Sequence, residues 1–208
     1  MANIIRRYLV LSLALVLLSV GLQAQTSPLE QAARTLAEVS RTQVRAFSTQ
    51  DFGREQYTEA RSVLVPEADA PRMLELVRSK LPAGTVAFVG VTRNLAQPKP
   101  SGVELVVAEG RSQFDILRVA ASDGINHGLQ TEDLIRELML WDSEFGIDIW
   151  QAETDTVQLR LKSLPRDISA FAKRVYKFCP DVVEQGVGSV AALQRAIERE
   201  KAVYLWWD

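Results

Sequence analysis

The chain has 208 residues, of which 24 are Lys or Arg and 26 are Asp or Glu, with one His and a formal net charge of −2. This balance gives no basic face for phosphate contacts, so it excludes nucleic acid as a partner. The single cysteine excludes an intramolecular disulfide, so packing must stabilise the fold.

The N-terminus has the pattern of a secretory signal peptide. Arg6 and Arg7 precede an apolar run from Tyr8 to Leu22, and Gln23-Ala24-Gln25 offers a cleavage site. The run is shorter than the ~20 residues of a spanning helix, so we expect residues 1–24 to be removed and no stable membrane span to remain. A retained anchor is the alternative, because the last residue of the run is bulkier than usual before a cleavage site. The chain is therefore predicted to be exported, to the periplasm or beyond.

Residues 25–59 are predicted to form an N-terminal helix and a linker. Apolar residues recur at mostly three- and four-residue steps, as on one face of an amphipathic helix; they are Leu29, Ala33, Leu36, Val39, Val44 and Phe47. The polar segment that follows, 48–60, has no clear period and is interpreted as a linker or a weak helix.

Residues 60–208 are predicted to form a single α+β domain. Strands are expected at 62–65, 85–91, 103–108, 147–152, 157–161 and 203–207, and helices at 71–80, 112–121, 131–145, 167–178 and 189–201, with a loop at 94–102. From Val103 onward, the order resembles a ferredoxin-like plait with doubled helices. This order predicts an antiparallel or mixed sheet covered by helices on one face.

The C-terminal part carries three short signatures: Phe-Cys-Pro-Asp at 178–181, Gln185-Gly186, and Trp206-Trp207-Asp208. From about residue 115 to residue 208, the chain resembles a bacterial family built on a domain of unknown function, DUF4253, whose members close on the same pattern. The resemblance implies a fold and marks these positions for testing. It implies no activity.

The loop 122–128 contains two glycines and several polar residues, and such loops bring polar side chains together. With the signatures, it gives the candidate binding residues, which are Asp123, Asn126, His127, Cys179, Asp181, Gln185, Trp206, Trp207 and Asp208. Asp123 and Asn126 have an alternative role as turn formers. Trp206 and Trp207 face opposite sides of the predicted closing strand, so one is expected in the core and the other on the outer face.

Cys179 has two interpretations. A single cysteine and a single histidine invite a nucleophile and base pair with His127. However, Cys179 lies at the C-terminal end of its predicted helix, where the dipole disfavours a thiolate. Burial as a small apolar residue is the interpretation that we favour.

No motif in the sequence points to a metal or a cofactor. The chain has no His-Glu-x-x-His, paired-cysteine or calcium-loop spacing, and no phosphate loop, dinucleotide glycines or Gly-x-Ser-x-Gly elbow. We therefore expect neither a metal nor a cofactor.

These observations favour an exported, non-catalytic domain that binds a protein or a small ligand. The expected cleft lies near the loop 123–128, the turn 179–181 and the C-terminal tail. One alternative is an immunity- or inhibitor-type protein of the cell envelope. The other is a hydrolase or transferase that uses Cys179 or a carboxylate pair such as Asp181 with Asp208.

Overall fold

The computed structural model describes residues 26–51, 54–90 and 101–208, with the side chains of 48–51 and 54–58 left out. The predicted signal peptide, 1–24, and most of the predicted loop at 94–102 lie outside these residues. Among the described helices, none has the length and apolar character needed to cross a bilayer.

Seven strands and six α-helices make up the described part of the chain. The strands are β1 Arg45–Asp51, β2 Arg54–Val65, β3 Thr85–Gly90, β4 Val103–Glu109, β5 Ile147–Ala152, β6 Thr156–Leu161 and β7 Ala202–Trp206. The helices are α1 Pro28–Ser40, α2 Ala70–Arg78, α3 Asp115–Ala120, α4 Thr131–Phe145, α5 Ile168–Phe178 and α6 Val190–Glu200. A π-helical segment, Val182–Val187, lies between α5 and α6.

The described strands form one sheet in the order β1-β2-β4-β3-β5-β6-β7. Every neighbouring pair is antiparallel except β3 and β5, which run parallel and are joined by the single pair Val89 and Gln151. The predicted mixed sheet with several helices is therefore confirmed.

Helices cover both faces of the sheet, and the prediction of helices on one face is wrong. Helices α1 and α2 pack on one face of β2, β3 and β4, whereas α3 to α6 share a larger core with the other face. The reason is visible in β4, in which six successive residues are buried. A strand buried on both faces needs a layer on each side.

The strand order also differs from the predicted ferredoxin-like plait. In such a plait, the first and last strands of the four-strand unit would be neighbours. Here β7 pairs with β6, and β3 lies between β4 and β5. Strand β3 precedes the predicted plait in sequence but lies at the centre of the sheet. It separates β4, the first strand of that plait, from β5, β6 and β7.

The predicted helix over 29–47 ends early. Helix α1 stops at Ser40, and Arg41 adopts a left-handed conformation with φ of 56°. Phe47 lies in β1 instead, where it is buried in the larger core. The predicted linker 48–60 lies in β1 and β2, apart from residues 52–53, so Ala60, the predicted start of the compact domain, falls inside β2.

Arg78, the last residue of α2, connects the two halves of the sheet. Its guanidinium donates to the carbonyl oxygen of Ala87 in β3 at 2.9 Å and to that of Ile149 in β5 at 2.6 Å. It also pairs with the Asp148 carboxylate at 2.7 Å. One cationic side chain thus satisfies carbonyl groups of both strands at the parallel junction.

The second half of the fold ends at the edge strand β7. Side-chain caps at Asp167 and Ser189 begin α5 and α6, by accepting from Ala170 N at 2.8 Å and Ala192 N at 3.2 Å. These helices pack on the inner face of β6 and β7, where Leu205 is fully buried. The outer face of these strands is on the same side of the sheet as α1 and α2, which pack on β2, β3 and β4 instead.

Candidate functional site

Four segments that are distant in sequence meet at one end of β6 and β7. Asp123 N donates to Thr154 O at 2.8 Å, which joins the loop 122–128 to the β5–β6 hairpin. Trp207 N donates to Asp155 O at 3.0 Å, which joins the tail to the same hairpin. The turn 179–181 packs beside them. The loop, the turn and the tail contain most of the candidate binding residues that were predicted from the sequence.

Asp181 is the centre of the polar contacts in this cluster. Its Oδ2 lies 2.7 Å from His127 Nε2 and accepts from the backbone amide of Asp208 at 3.0 Å. Burial by itself would raise the pKa of Asp181, but the amide of Asp208, the side chain of Gln185 and His127 together lower it below its ordinary value. Asp181 is therefore a carboxylate at neutral pH, and it holds the tail and the loop together.

Cys179 is fully buried, and its sulfur bonds to the backbone of β7. Sγ donates to Trp206 O at 2.9 Å and accepts from Trp206 N at 3.3 Å. Burial raises the pKa of the thiol to about 11. A buried, protonated thiol is a poor nucleophile, so the arrangement speaks against catalysis by Cys179 with His127.

The two tryptophans of the tail face opposite sides, as the alternation in a strand requires. Trp207 is 2% exposed, and its Nε1 donates to Phe178 O at 3.2 Å. A Cβ atom added at Gly124 would lie 3.0 Å from the Trp207 ring, so the glycine allows the loop to approach the indole closely. Trp206, in contrast, is half-buried on the outer face.

The remaining candidates lie at the surface of the cluster. Asp123 Oδ1 accepts from Ile125 N at 3.3 Å, as expected of a turn former. Asn126, Gln185 and Asp208 are exposed. The cluster thus divides into buried side chains, which fasten the tail, and exposed side chains, whose binding role stays a prediction.

A second surface, which we call the outer face, shares only Trp206 with the predicted site. It consists of Trp150, Gln158, Arg160, Tyr204 and Trp206, side chains of β5, β6 and β7 on the side away from α3 to α6. Arg160 Cζ lies 5.5 Å from the centre of the Trp150 ring, within cation–π range. Tyr204 is 47% exposed. The alternation of side chains along three paired strands was the available signal for this surface.

The outer face combines aromatic rings with polar side chains. Burial and the charges of Glu153 and Asp155 raise the pKa of the Tyr204 phenol, despite a hydrogen bond with Thr156. The phenol therefore stays protonated and can donate. Gln158 Nε2 donates to Gln151 Oε1 at 3.1 Å, which links the two polar side chains to each other. Aromatic rings beside a guanidinium are the residue types enriched at protein interfaces.

A groove runs beside β7, between the strand and the segment that leads into α6. Its volume is about 560 Å³, and its inner wall is apolar, formed by Val182, Val187, Leu193, Ala196 and Ile197. The outer face borders it through Tyr204 and Trp206. Across the described ranges, no group of three or more His, Cys, Asp or Glu residues is placed to hold a metal ion.

Residues 104–208 match the model of a family described as domain of unknown function (DUF4253). The match confirms the resemblance and extends it to the beginning of β4, so it contains both the cluster and the outer face. No curated protein and no solved structure matches the chain.

Proposed function

The chain belongs to the DUF4253 family, and from that premise we propose that it is a non-catalytic domain that binds another protein after export. The observation that carries the proposal is the outer face, where Tyr204, Trp206 and Arg160 lie beyond the core that α1 and α2 form, and Trp150 packs at the border of that core. Leu159, Val203 and Leu205 anchor these strands in the larger core, so we expect the surface to be rigid. A rigid aromatic surface loses little entropy on binding.

The outer face has the composition of an interface centre. Trp, Tyr and Arg are the residues that most often dominate binding free energy. Arg160 lies against Trp150, and its contacts with the carboxylates of Glu75 and Asp148 are long, 3.6 and 4.0 Å. A partner carboxylate could approach more closely than either. The surface therefore suits a partner with an acidic group beside an apolar one.

Export is supported by the N-terminal pattern of residues 1–24. The absence of a second cysteine is compatible with an oxidising compartment, because one thiol cannot form an internal disulfide. Its complete burial also keeps this thiol from pairing with other molecules. The fold thus meets the chemical demands of the compartment that we propose.

The test begins with a displayed library of random peptides selected on the immobilised protein, followed by fluorescence titration of the selected peptides. We expect the Trp150→Ala and Arg160→Glu variants each to bind at least about tenfold more weakly. Met139→Ala is the matched control, because Met139 is 52% exposed on α4, on the other side of the sheet. Unchanged affinity in both outer-face variants would contradict the proposal.

A further inference from the structure

Backbone groups at alternate positions on the free edge of β7 point away from the sheet. Leu161 N donates to Lys201 O at 2.8 Å and Trp207 N to Asp155 O at 3.0 Å, so odd-numbered residues of β7 bond to β6. The even-numbered residues therefore direct their N–H and C=O groups outward. The backbone amide and carbonyl groups of Trp206 both bond to the sulfur of Cys179.

Tyr204 is the even-numbered residue in the middle of β7. Beyond β6, none of the residues in the described ranges bonds to its backbone amide or carbonyl group. These two groups face the space beside the strand, and the groove of about 560 Å³ lies along the same edge. An unpaired donor and acceptor next to an apolar groove is the arrangement that an added strand satisfies.

We infer that this edge binds an extended peptide segment of a partner protein as an additional strand, antiparallel to β7. The inference rests on the proposed function and specifies its ligand. Charge sets the direction: Lys201 and Arg160 lie at the start of β7, and Glu153 and Asp155 lie at its end. An antiparallel peptide places its C-terminal side beside the cations and its N-terminal side beside the acids.

The register of β7 also specifies the side chains of the peptide. A peptide residue opposite Tyr204 would share the outer face, because directly paired residues point to the same side. The next residue lies opposite Val203 and points to the inner side, into the groove, so it should be aliphatic. The residue after it lies opposite Ala202, which is itself paired with Arg160, so it should be Asp or Glu.

A second copy of this chain fits the edge less well than a peptide does. A twofold axis at Tyr204 would pair Ala202 of each chain with Trp206 of the other. The outward backbone groups of Trp206 are already bonded to Cys179. Only the central pair could form, whereas a peptide, which needs no symmetry, can also bond at Ala202.

The experiment uses a short acetylated peptide, Thr-Thr-Val-Asp-Ala, titrated into the mature protein, with the central positions set as above. We expect N-methylation of the second threonine, which faces Tyr204, to weaken binding about tenfold by removing one backbone donor. We expect the same of Val187→Asp, which puts a charge into the groove, but not of Met139→Asp on α4. Arg160→Glu should weaken binding of this peptide, and replacing the Asp of the peptide with Lys should restore the affinity for the Arg160→Glu variant.

The outcomes separate this inference from the proposed function. If library peptides depend on Trp150 but tolerate N-methylation and Val187→Asp, the outer face binds a partner and the added strand is wrong. If no peptide depends on the outer face either, both proposals fall. Dimerisation that Val187→Asp abolishes, seen by sedimentation, would replace the peptide with a second copy and overturn the inference.

Discussion

The sulfur of Cys179 bonds to both backbone groups of Trp206, with Sγ 2.9 Å from the carbonyl oxygen and 3.3 Å from the amide nitrogen. One side chain thereby closes one end of the β7 edge. Trp207 donates to Phe178 O, and Asp208 donates to Asp181, so successive residues of the tail are fastened to the same turn. The Phe-Cys-Pro-Asp and Trp-Trp-Asp signatures are two sides of one structural contact.

Cys179 should resist alkylation at neutral pH in the native protein and react after denaturation, because it is buried and its pKa is raised to about 11. Its ordinary value of 9.0 applies to the unfolded chain. Between these values, the unfolded state loses the proton first, so the contribution to stability is complete below pH 9.0 and is lost as the pH rises towards 11. Urea unfolding should show a steeper alkaline loss in the wild type than in Cys179→Ala. Rapid native labelling, followed by mass spectrometry, would contradict this account.

Asp181→Asn should destabilise the protein by about 1–3 kcal/mol at neutral pH, because the new amide group offers hydrogens where Asp208 N–H already donates. The folded-state pKa of Asp181 is lowered, so its contribution is present above the ordinary value of 3.8 and is lost as the pH falls through the folded value. Urea denaturation across a pH series measures this. The difference in unfolding free energy between the variant and the wild type should decrease at acidic pH. A difference that does not change with pH would refute the role assigned to the carboxylate.

Gly124→Ala should destabilise the protein by about 1–3 kcal/mol, because its Cβ would meet the Trp207 ring at 3.0 Å. Gly186→Ala is a matched control, since its nearest new contact is an ordinary 3.6 Å to Asp181 O. Thermal unfolding should show a midpoint below that of the wild type for Gly124→Ala but not for Gly186→Ala. Equal midpoints would mean that the loop can move away from the indole.

A fragment of residues 104–208, the segment that matches the family, should fail to fold as a monomer. Strand β4 loses both of its neighbours, β2 and β3, in that fragment, and β5 loses its parallel partner. Unpaired apolar edges promote association. Size-exclusion chromatography and circular dichroism should show aggregation, whereas residues 26–208 elute as a folded species. A cooperative, monomeric fragment would show that β3 is dispensable.

The export proposal predicts that the mature protein begins at Gln25. Expression of the full chain in a bacterium with a secretory pathway, followed by fractionation and intact mass, would show the loss of residues 1–24. Replacing Ala24 with a bulky residue should slow the processing. Recovery of the unprocessed chain in the membrane fraction would favour the retained anchor instead.

The second half of the fold could be predicted closely because local signals begin and end its elements. Asp167 and Ser189 cap α5 and α6 as predicted, and Gly146 ends α4. Such signals depend on neighbouring residues alone.

What the sequence could not predict depends on contacts between distant segments. The position of β3 between β4 and β5 rests on the pairing of Val89 with Gln151, which no local pattern encodes. The outer face could not be predicted for a related reason: alternation shows that Trp150 and Arg160 share a side, but not that α1 and α2 pack on β2, β3 and β4 rather than over β6 and β7. The end of α1 at Ser40 was missed because Val44 and Phe47 continued its apolar spacing by chance.

The Arg78 contacts have a mechanical consequence. Under a load applied across its strands, the sheet should part first between β3 and β5, which share one backbone pair, rather than along the longer antiparallel ladders on either side. The guanidinium of Arg78 adds to the resistance at this seam, because its bonds to Ala87 and Ile149 link the two strands. This boundary between β3 and β5 lies beside the outer face. A force applied by a bound partner would therefore act on β5 before it reached β3 and the rest of the sheet.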